Sequence, residues 1–221
     1  MNSADLSNPK NGKTRLASSG DKEAATSNKD RILLAASQLL VDKGIDGLSV
    51  RAIAQTAGLS TIAIYSHFQG KEGVLDELYM EGFRRLKSAM DATITIEDPV
   101  EAAIAGTESY IEIARENEGH YRLMFGETGY APSSNAQRAA WDAFASLVNQ
   151  VARLLPDTNS RATQQRAAMR LWAMIHGYVS LRHHVIGSML DYTQWHRMAM
   201  DSSSQAIRKI YEEGRAGERE V

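Results

Sequence analysis

Apolar residues recur three and four positions apart along most of the chain, which is the spacing of one face of an α-helix. The first such segment begins at Lys29 and ends at Gly44, a residue type common after helix C-termini. Its inward positions are Ile32, Leu33, Ala36, Leu39 and Leu40. No window alternates apolar and polar residues over the length that a half-buried strand needs. The pattern therefore predicts an all-α fold.

Two short helices joined by a glycine turn are predicted next. Ser49 can cap the first of them, whose inward positions are Val50, Ile53, Ala54 and Ala57. Gly58 and Leu59 then form a tight turn, and the second short helix runs from Ser60 to about Phe68. Packed on the helix before them, these two helices are typical of a helix-turn-helix domain.

The rest of the chain continues the helical pattern. A fourth helix begins near Lys71, and its apolar pattern ends within residues 93–98. Pro99 suits the first turn of the long helix that follows. The last two helices are predicted over about residues 161–186 and 192–214.

These patterns divide the chain into three parts. Residues 1–27 hold almost no large apolar side chains, a composition that predicts a disordered arm. Residues 28–90 are expected to form a three-helix helix-turn-helix DNA-binding domain together with the helix that leads out of it. Residues 99–215 are expected to form a helical bundle for ligand binding and dimerisation.

Composition narrows the class of protein. The chain has 221 residues, of which 43% are hydrophobic, so it can bury one or two small cores. It contains no cysteine, which excludes disulfides, thiolate zinc sites and a cysteine nucleophile. We find no signal-peptide pattern and no apolar run of the about 20 residues that span a bilayer. We therefore expect a cytoplasmic protein.

Charge is distributed unevenly along the chain. The formal net charge is -2, so bulk charge gives no reason to expect nucleic acid as a partner. Between Asp46 and Glu72, however, there is no carboxylate, while Arg51, Lys71 and, when protonated, His67 are positive. This span can approach phosphates without electrostatic repulsion.

The second short helix has two different faces. Leu59, Ile64 and Phe68 fall on the side that faces the core. The other side carries small, hydroxylated, apolar and aromatic residues, which are Ser60, Thr61, Ile62, Tyr65 and Ser66. Hydroxyls can meet base edges or phosphate oxygens, and an apolar group can touch a thymine methyl in the major groove. This face is a candidate DNA-reading surface.

In order and spacing, this part of the chain resembles the N-terminal signature of the TetR (tetracycline repressor) family. The matching segments are Ser49-Val50-Arg51-Ala52-Ile53-Ala54, Ala57-Gly58-Leu59-Ser60, Ile64-Tyr65-Ser66-His67-Phe68 and Lys71-Glu72. The resemblance covers about residues 29–78. It implies base reading by Thr61 and Ile62, and backbone contacts by Ser49, Arg51, Tyr65, His67 and Lys71. Ser66 stands where many members carry a second aromatic residue, and Ile62 where many carry a small or polar one.

The resemblance also implies a C-terminal bundle that encloses a small-molecule effector, and a homodimer through the last two helices that binds a palindromic operator. The helix predicted within residues 161–186 is apolar around much of its circumference, so it should be buried on several sides. In the last helix, a seam that includes Trp195 and Ala199 can pack against a two-fold copy. Trp172 with His176-Gly177 resembles the tryptophan and histidine-glycine signature of one TetR subgroup.

Candidate ligand contacts are mostly aromatic side chains in the second domain. They are Tyr110, Tyr121, Met124, Phe125, Trp141, Phe144, Trp172, Met174 and His176. Ligand cavities are mostly apolar with a few polar groups, which this set would provide. The same residue types at helical spacing usually form a hydrophobic core, so core packing is the alternative interpretation of each.

Two other classes of function compete with DNA binding. An enzyme would need a phosphate-binding glycine loop, a serine elbow or paired histidines at zinc spacing, and the sequence contains none of these. We therefore expect no cofactor and no metal site. A helical ligand-binding or structural bundle without specific DNA binding is the second alternative, but it leaves the carboxylate-free span unexplained. Within regulation, the family makes repression the default and leaves activation open.

Overall fold

The computed structural model describes residues 27–126, 129–156, 159–182 and 184–216. They form nine α-helices and, within these ranges, no β-strand, which confirms the predicted all-α fold. The helices are α1 (Asn28–Lys43), α2 (Val50–Ala57), α3 (Thr61–Phe68), α4 (Lys71–Ala92), α5 (Pro99–Glu116), α6 (Glu118–Phe125), α7 (Ser134–Ala152), α8 (Arg161–Arg182) and α9 (Tyr192–Ala216). In the described part of the chain, no helix combines the length and the apolarity that a membrane span requires.

Side-chain caps explain where several helices begin. Ser27 accepts a hydrogen bond from the backbone N–H of Asp30, whose carboxylate in turn accepts from the backbone N–H of Ser27. Asp98 accepts from the first free N–H groups of α5, where Pro99 occupies the first position. The predicted N-terminal arm lies outside the described residues except for Ser27 itself.

The N-terminal core is formed by one face of each of the first four helices. Ile32 of α1, Ile53 of α2, Ile64 of α3 and Val74 of α4 are fully buried in it. Leu123 of α6 also belongs to this core. Because α6 packs against α1 in this way, the two halves of the chain share a hydrophobic contact.

The C-terminal core is built around α5, α7, α8 and α9, with the second half of α4 packed against it. Tyr79 of α4 packs against both cores, so the two hydrophobic clusters meet within this helix. The linker after α4 is tied to α7, because Arg153 donates to the backbone carbonyl of Ile96 at 2.6 Å. Since α4 contributes to both hydrophobic clusters, this one helix runs from the N-terminal core into the bundle.

Two details of the sequence prediction are wrong. The eighth helix ends at Arg182 rather than near residue 186, and the chain continues into a short 3-10 helix at Val185–Met189. Trp195 and Ala199, expected in a seam between two copies, are buried within their own bundle, where their stripe on α9 faces the C-terminal core. The apolar periodicity identified the stripe but not which surface covers it.

Candidate nucleic-acid interface and ligand cavity

The turn between α2 and α3 is fixed by backbone geometry. Gly58 adopts a left-handed conformation with φ 63°, which a glycine tolerates without a Cβ penalty. The next residue, Leu59, donates its N–H to the carbonyl of Ala54 at 2.9 Å. Ser60 then caps α3 by accepting from the N–H of Ala63. These bonds set the angle at which α3 leaves α2.

A side chain from α1 reinforces this turn. The guanidinium of Arg31 donates to the carbonyl of Ala57 at 2.7 Å and to that of Gly58 at 3.3 Å. These carbonyls belong to the C-terminal end of α2, where the negative pole of the helix dipole favours a cation. Sequence reasoning missed Arg31, because nothing in its local pattern distinguishes it from a surface arginine.

The junction between α3 and α4 requires glycine. A Cβ atom on Gly73 would lie 1.7 Å from the carbonyl oxygen of Phe68, a distance no side chain can adopt. Between these two residues, Gln69 has a left-handed φ of 64°. The start of α4 is therefore pressed directly against the end of α3.

The exposed face of α3 is the one predicted from the sequence. Ile62 is 76% exposed and Tyr65 is 58% exposed, which is unusual for large apolar and aromatic side chains. Ser60, Thr61, Ser66 and His67 are also exposed, while Ile64 and Phe68 are buried on the opposite side. The side chains are free to contact a partner because no other part of the described chain covers them.

Cationic groups flank this face. Arg51 is exposed on the first turn of α2, next to Ser49, which caps that helix by accepting from the N–H of Ala52 at 3.1 Å. Lys71 is half-buried at the start of α4, and its Nζ donates to the carbonyl of Ile45 at 3.2 Å. This bond holds the ammonium group against Ile45, while Lys71 itself is the first residue of α4, where free backbone N–H groups favour anions.

A cavity of about 320 Å³ lies in the C-terminal bundle. It is lined by Tyr79, Phe83, Leu86 and Met90 of α4, by Ala103, Gly106, Thr107 and Tyr110 of α5, by Met124 and Phe125 of α6, by Ala140, Trp141, Ala143, Phe144, Leu147 and Gln150 of α7, and by Met169, Leu171, Trp172 and Ile175 of α8. Trp141 is 70% exposed, and this marks the side on which the cavity opens.

The predicted ligand contacts fall into two groups. Tyr110, Met124, Phe125, Trp141, Phe144 and Trp172 line the cavity. Tyr121, Met174 and His176 do not line it, because Met174 packs on the C-terminal core while Tyr121 and His176 lie behind the wall. Sequence reasoning missed the contribution of α4 and the buried amide of Gln150, since a glutamine between apolar residues gives no signal of a cavity.

Tyr110 and Trp172 of the cavity wall form a polar network with Tyr121 and His176, which lie behind the wall. The hydroxyls of Tyr121 and Tyr110 lie 2.7 and 3.3 Å from Nδ1 of His176, and Trp172 donates its Nε1–H to Tyr110 at 3.3 Å. Burial lowers the pKa of His176, so the neutral ring that can accept a tyrosine hydrogen bond is favoured. Burial also raises the pKa of Tyr110 to about 12.

A second polar contact joins the two halves of the chain. His120 of α6 is buried, with Nε2 3.3 Å from the carboxylate of Glu81 on α4 and Nδ1 3.5 Å from the hydroxyl of Ser37 on α1. The hydrogen bond with His120 lowers the pKa of Glu81 to about 2. Because α6 also supplies Met124 and Phe125 to the cavity, it contacts both the cavity and α1.

One cluster has the composition of a metal site. Glu108 and Glu112 of α5 and His196 of α9 bring ligand atoms within 4.8 Å of one another. Glu112 also accepts hydrogen bonds from Arg115 at 2.6 Å and from Tyr192 at 2.8 Å, and Glu108 lies 2.7 Å from Nε2 of His196. These partners compensate the carboxylates, so the cluster serves as a polar contact between α5 and α9.

Comparison with known families and proteins agrees with this geometry. Residues 32–78 match the model of the bacterial regulatory proteins of the tetR family, and residues 103–191 match that of the tetracyclin repressor-like C-terminal domain. The chain is 39% identical over 54 residues to the class D tetracycline repressor protein of Escherichia coli, covering 24% of this chain and 25% of that protein. It is 27% identical over 111 residues to the HTH-type transcriptional activator FasR of Mycolicibacterium smegmatis, covering 48% of this chain and 49% of that protein.

The curated relatives are therefore matched only in part, with FasR covered over about half of its length and the class D repressor over a quarter. A solved structure of a protein of unknown function from Rhodococcus sp. RHA1 is matched more completely, with a TM-score of 0.67 and 25% identity over 86% of this chain and 98% of that one. The likeness extends across both the N-terminal helices and the bundle.

Proposed function

The chain belongs to the TetR family of bacterial regulatory proteins, and we propose from this premise that it regulates transcription by binding operator DNA as a homodimer, under control of a small-molecule effector. The observation that carries the proposal is the face of α3. It leaves the large side chains of Ile62 and Tyr65 in solvent, and the span from residue 47 to residue 71 around it contains no carboxylate. Such a surface is suited to the major groove of DNA.

In this proposal the residues divide into two roles. Thr61 and Ile62, in the first turn of α3, contact base edges. The groups at the flanks, Ser49, Arg51, Ser60, Tyr65, His67 and Lys71, contact phosphates and fix the register of the helix on the duplex. A helix-turn-helix that presents its recognition helix in this way enters the major groove with the N-terminal residues of that helix.

Dimerisation is supported by the apolar surface that one copy leaves exposed. Around the end of α8 and the start of α9 this surface comprises Leu181, Val185, Ile186, Met189, Leu190 and Met198. Exposed apolar side chains grouped along one stretch of chain are typical of protein–protein contacts, and a two-fold arrangement would pair this stretch with its copy. Two recognition helices would then meet half-sites about 34–36 Å apart on a palindromic operator.

Regulation is supported by the helices that the cavity and the DNA-binding domain share. Tyr79 and Phe83 line the cavity from the same helix that begins at Lys71, and α6 joins the cavity wall to α1. We infer that effector binding favours a spacing of the recognition helices that no longer fits the operator. Release of a repressor is the simplest outcome, and the cytoplasm, where the DNA lies, is the compartment that this function requires.

We also infer that the C-terminal domain belongs to the TetR subgroup that carries a tryptophan and histidine-glycine signature. Trp172 and His176 are joined through Tyr110 in the polar network at the cavity wall, which gives this tryptophan and histidine a shared structural role. Such a role supports the subgroup that Trp172 and His176-Gly177 resemble.

The test is selection from a library of random DNA duplexes in the presence of competitor DNA. We expect enrichment of a palindromic sequence, and we expect Ile62→Ala to change the preferred bases. Ile94→Ala is the matched control, because Ile94 is also an exposed isoleucine but lies in the linker after α4. Failure to enrich any sequence would leave a helical bundle without specific DNA binding.

A further inference from the structure

The cavity in the C-terminal bundle has an uncharged wall. Among the described residues that line it there is no Asp, Glu, Lys, Arg or His. An ionised ligand group would lose its hydration there without gaining a counter-charge, which is strongly unfavourable. The volume of about 320 Å³ is at the lower end of the range for small-molecule sites. The wall therefore selects a small neutral molecule.

One buried amide interrupts this apolar wall. Gln150 of α7 is only 5% exposed, and its Nε2 donates to the carbonyl of Ala102 at 2.9 Å and to the hydroxyl oxygen of Thr93. Thr93 donates its own hydroxyl hydrogen to the carbonyl of Met90. Both atoms that Nε2 contacts, the hydroxyl oxygen of Thr93 and the carbonyl of Ala102, are therefore acceptors. This fixes the orientation of the carboxamide, with the NH₂ group turned to Thr93 and Ala102 and Oε1 on the other side.

The oxygen of this amide has no partner among the described residues. Gly106 of α5 makes room for the group, since a Cβ atom at that position would lie 2.7 Å from Oε1. The other polar groups of the wall are already engaged. Thr107 donates to the carbonyl of Ala103 at 3.0 Å, and Tyr110 accepts from Trp172.

We propose that the cavity binds a neutral, largely apolar molecule that carries one hydroxyl or N–H group, and that Gln150 Oε1 accepts a hydrogen bond from this group. The ligand class follows from the chemistry of the cavity, whereas the role of this ligand as a regulator of DNA binding rests on the proposed function. A ligand that lacks the donor would cover this oxygen and leave it unpaired, which is costly, so such a ligand binds more weakly.

The experiment compares three probes that share one apolar tail. They are 4-hexylphenol, which carries a neutral donor, 4-hexylanisole, which lacks the donor, and 4-hexylbenzoate, which is ionised at neutral pH. Affinities are measured by calorimetry on the full chain without DNA, and binding is followed by the fluorescence of the tryptophans, two of which line the cavity. We expect the phenol to bind about tenfold more tightly than either of the other probes.

The variant Gln150→Met removes the acceptor and retains much of the side-chain volume. It should weaken binding of the phenol about tenfold and leave the anisole unchanged, so that the two probes become equal. Gln137→Met is the matched control, because Gln137 lies exposed on the same helix. It should keep the preference for the phenol.

Three results would overturn the proposal. They are equal affinity of the wild-type chain for phenol and anisole, tighter binding of the benzoate, and binding of none of the probes. The wild-type comparison decides the question even where Gln150→Met does not fold. If the phenol binds as expected but DNA affinity does not change, the ligand class stands and the proposed effector control of DNA binding fails.

Discussion

The guanidinium of Arg31 in α1 donates to the carbonyl of Ala57 in α2 at 2.7 Å, across 26 positions of sequence. The first helix of the domain thereby holds the last turn of α2, and with it the start of the turn that directs α3. A residue that lies outside the exposed face of α3 thus controls how that face is presented.

Replacing Arg31 by alanine should reduce both stability and DNA affinity. Loss of a charged donor to two helix-end carbonyls should lower the free energy of unfolding by about 1–2 kcal/mol. Urea denaturation and titration of an enriched operator would measure the two effects. Arg84→Ala is the control, because Arg84 forms a surface ion pair with Glu77, a type of contact worth less than about 1 kcal/mol. An Arg31→Ala protein with wild-type affinity would contradict this role.

Lys71→Ala should weaken binding to every DNA sequence to a similar degree. The loss of one phosphate contact reduces the slope of log affinity against log salt concentration by about 1. Titration at several salt concentrations would measure the slope. Lys87→Ala, on the same helix but paired with Asp91, should leave it unchanged. A change in base preference with an unaltered slope would assign Lys71 to base reading instead.

Gly73→Ala should be severely destabilising. The added Cβ would meet the carbonyl oxygen of Phe68 at 1.7 Å, so α3 and α4 would have to separate. We expect a loss of about 3 kcal/mol or more in the free energy of unfolding, measured by urea denaturation. Gly177→Ala is the matched control within α8, because nothing lies within 4 Å of its added Cβ. There alanine should stabilise the helix by up to about 1 kcal/mol, and equal effects at the two positions would refute the argument.

The stability of the bundle should fall in mildly acidic solution. Burial lowers the pKa of His176 below its ordinary value of 6.5, so the unfolded chain binds a proton more readily than the folded one. The stabilising contribution of the neutral ring is therefore complete above about pH 6.5 and is lost as the pH falls through the lower pKa of the folded state.

Urea denaturation between pH 8 and pH 5 would measure this dependence. His176→Gln should flatten the profile, whereas His67→Gln, which changes an exposed histidine of α3, should keep the wild-type shape. Identical profiles for the wild-type chain and His176→Gln would show that this ring does not titrate in the window.

The exposed face of α3 could be predicted from the sequence because it depends on local properties. The spacing of Ile64 and Phe68 fixes which side of the helix is buried, and Ile62 and Tyr65 must then point outward. The family resemblance was equally local, since its segments follow one another within about 50 residues. The structure shows these features as predicted because no contact with a distant part of the described chain changes which side of α3 is exposed.

The features that sequence reasoning missed depend on residues far apart in the chain. Arg31 contacts α2, and Gln150 contacts Thr93 in the linker after α4, only once the helices have packed. In the same way, periodicity revealed the apolar stripe of Trp195 and Ala199 but could not distinguish the bundle from a second copy as its cover. Predicting such contacts requires the arrangement of the helices, which periodicity does not contain.

The length of α4 determines how far Lys71 moves when the cavity end of this helix rotates. Its 22 residues extend about 33 Å at about 1.5 Å per residue, from Lys71 at the DNA-binding end to the cavity-lining end. A rotation of about 5° around the cavity end would displace Lys71 by about 3 Å, given this lever arm. A binding constellation tolerates errors of about 0.5 Å. Given this lever arm, a tilt of only about 1° already displaces Lys71 by about that tolerance and disturbs its fit to DNA.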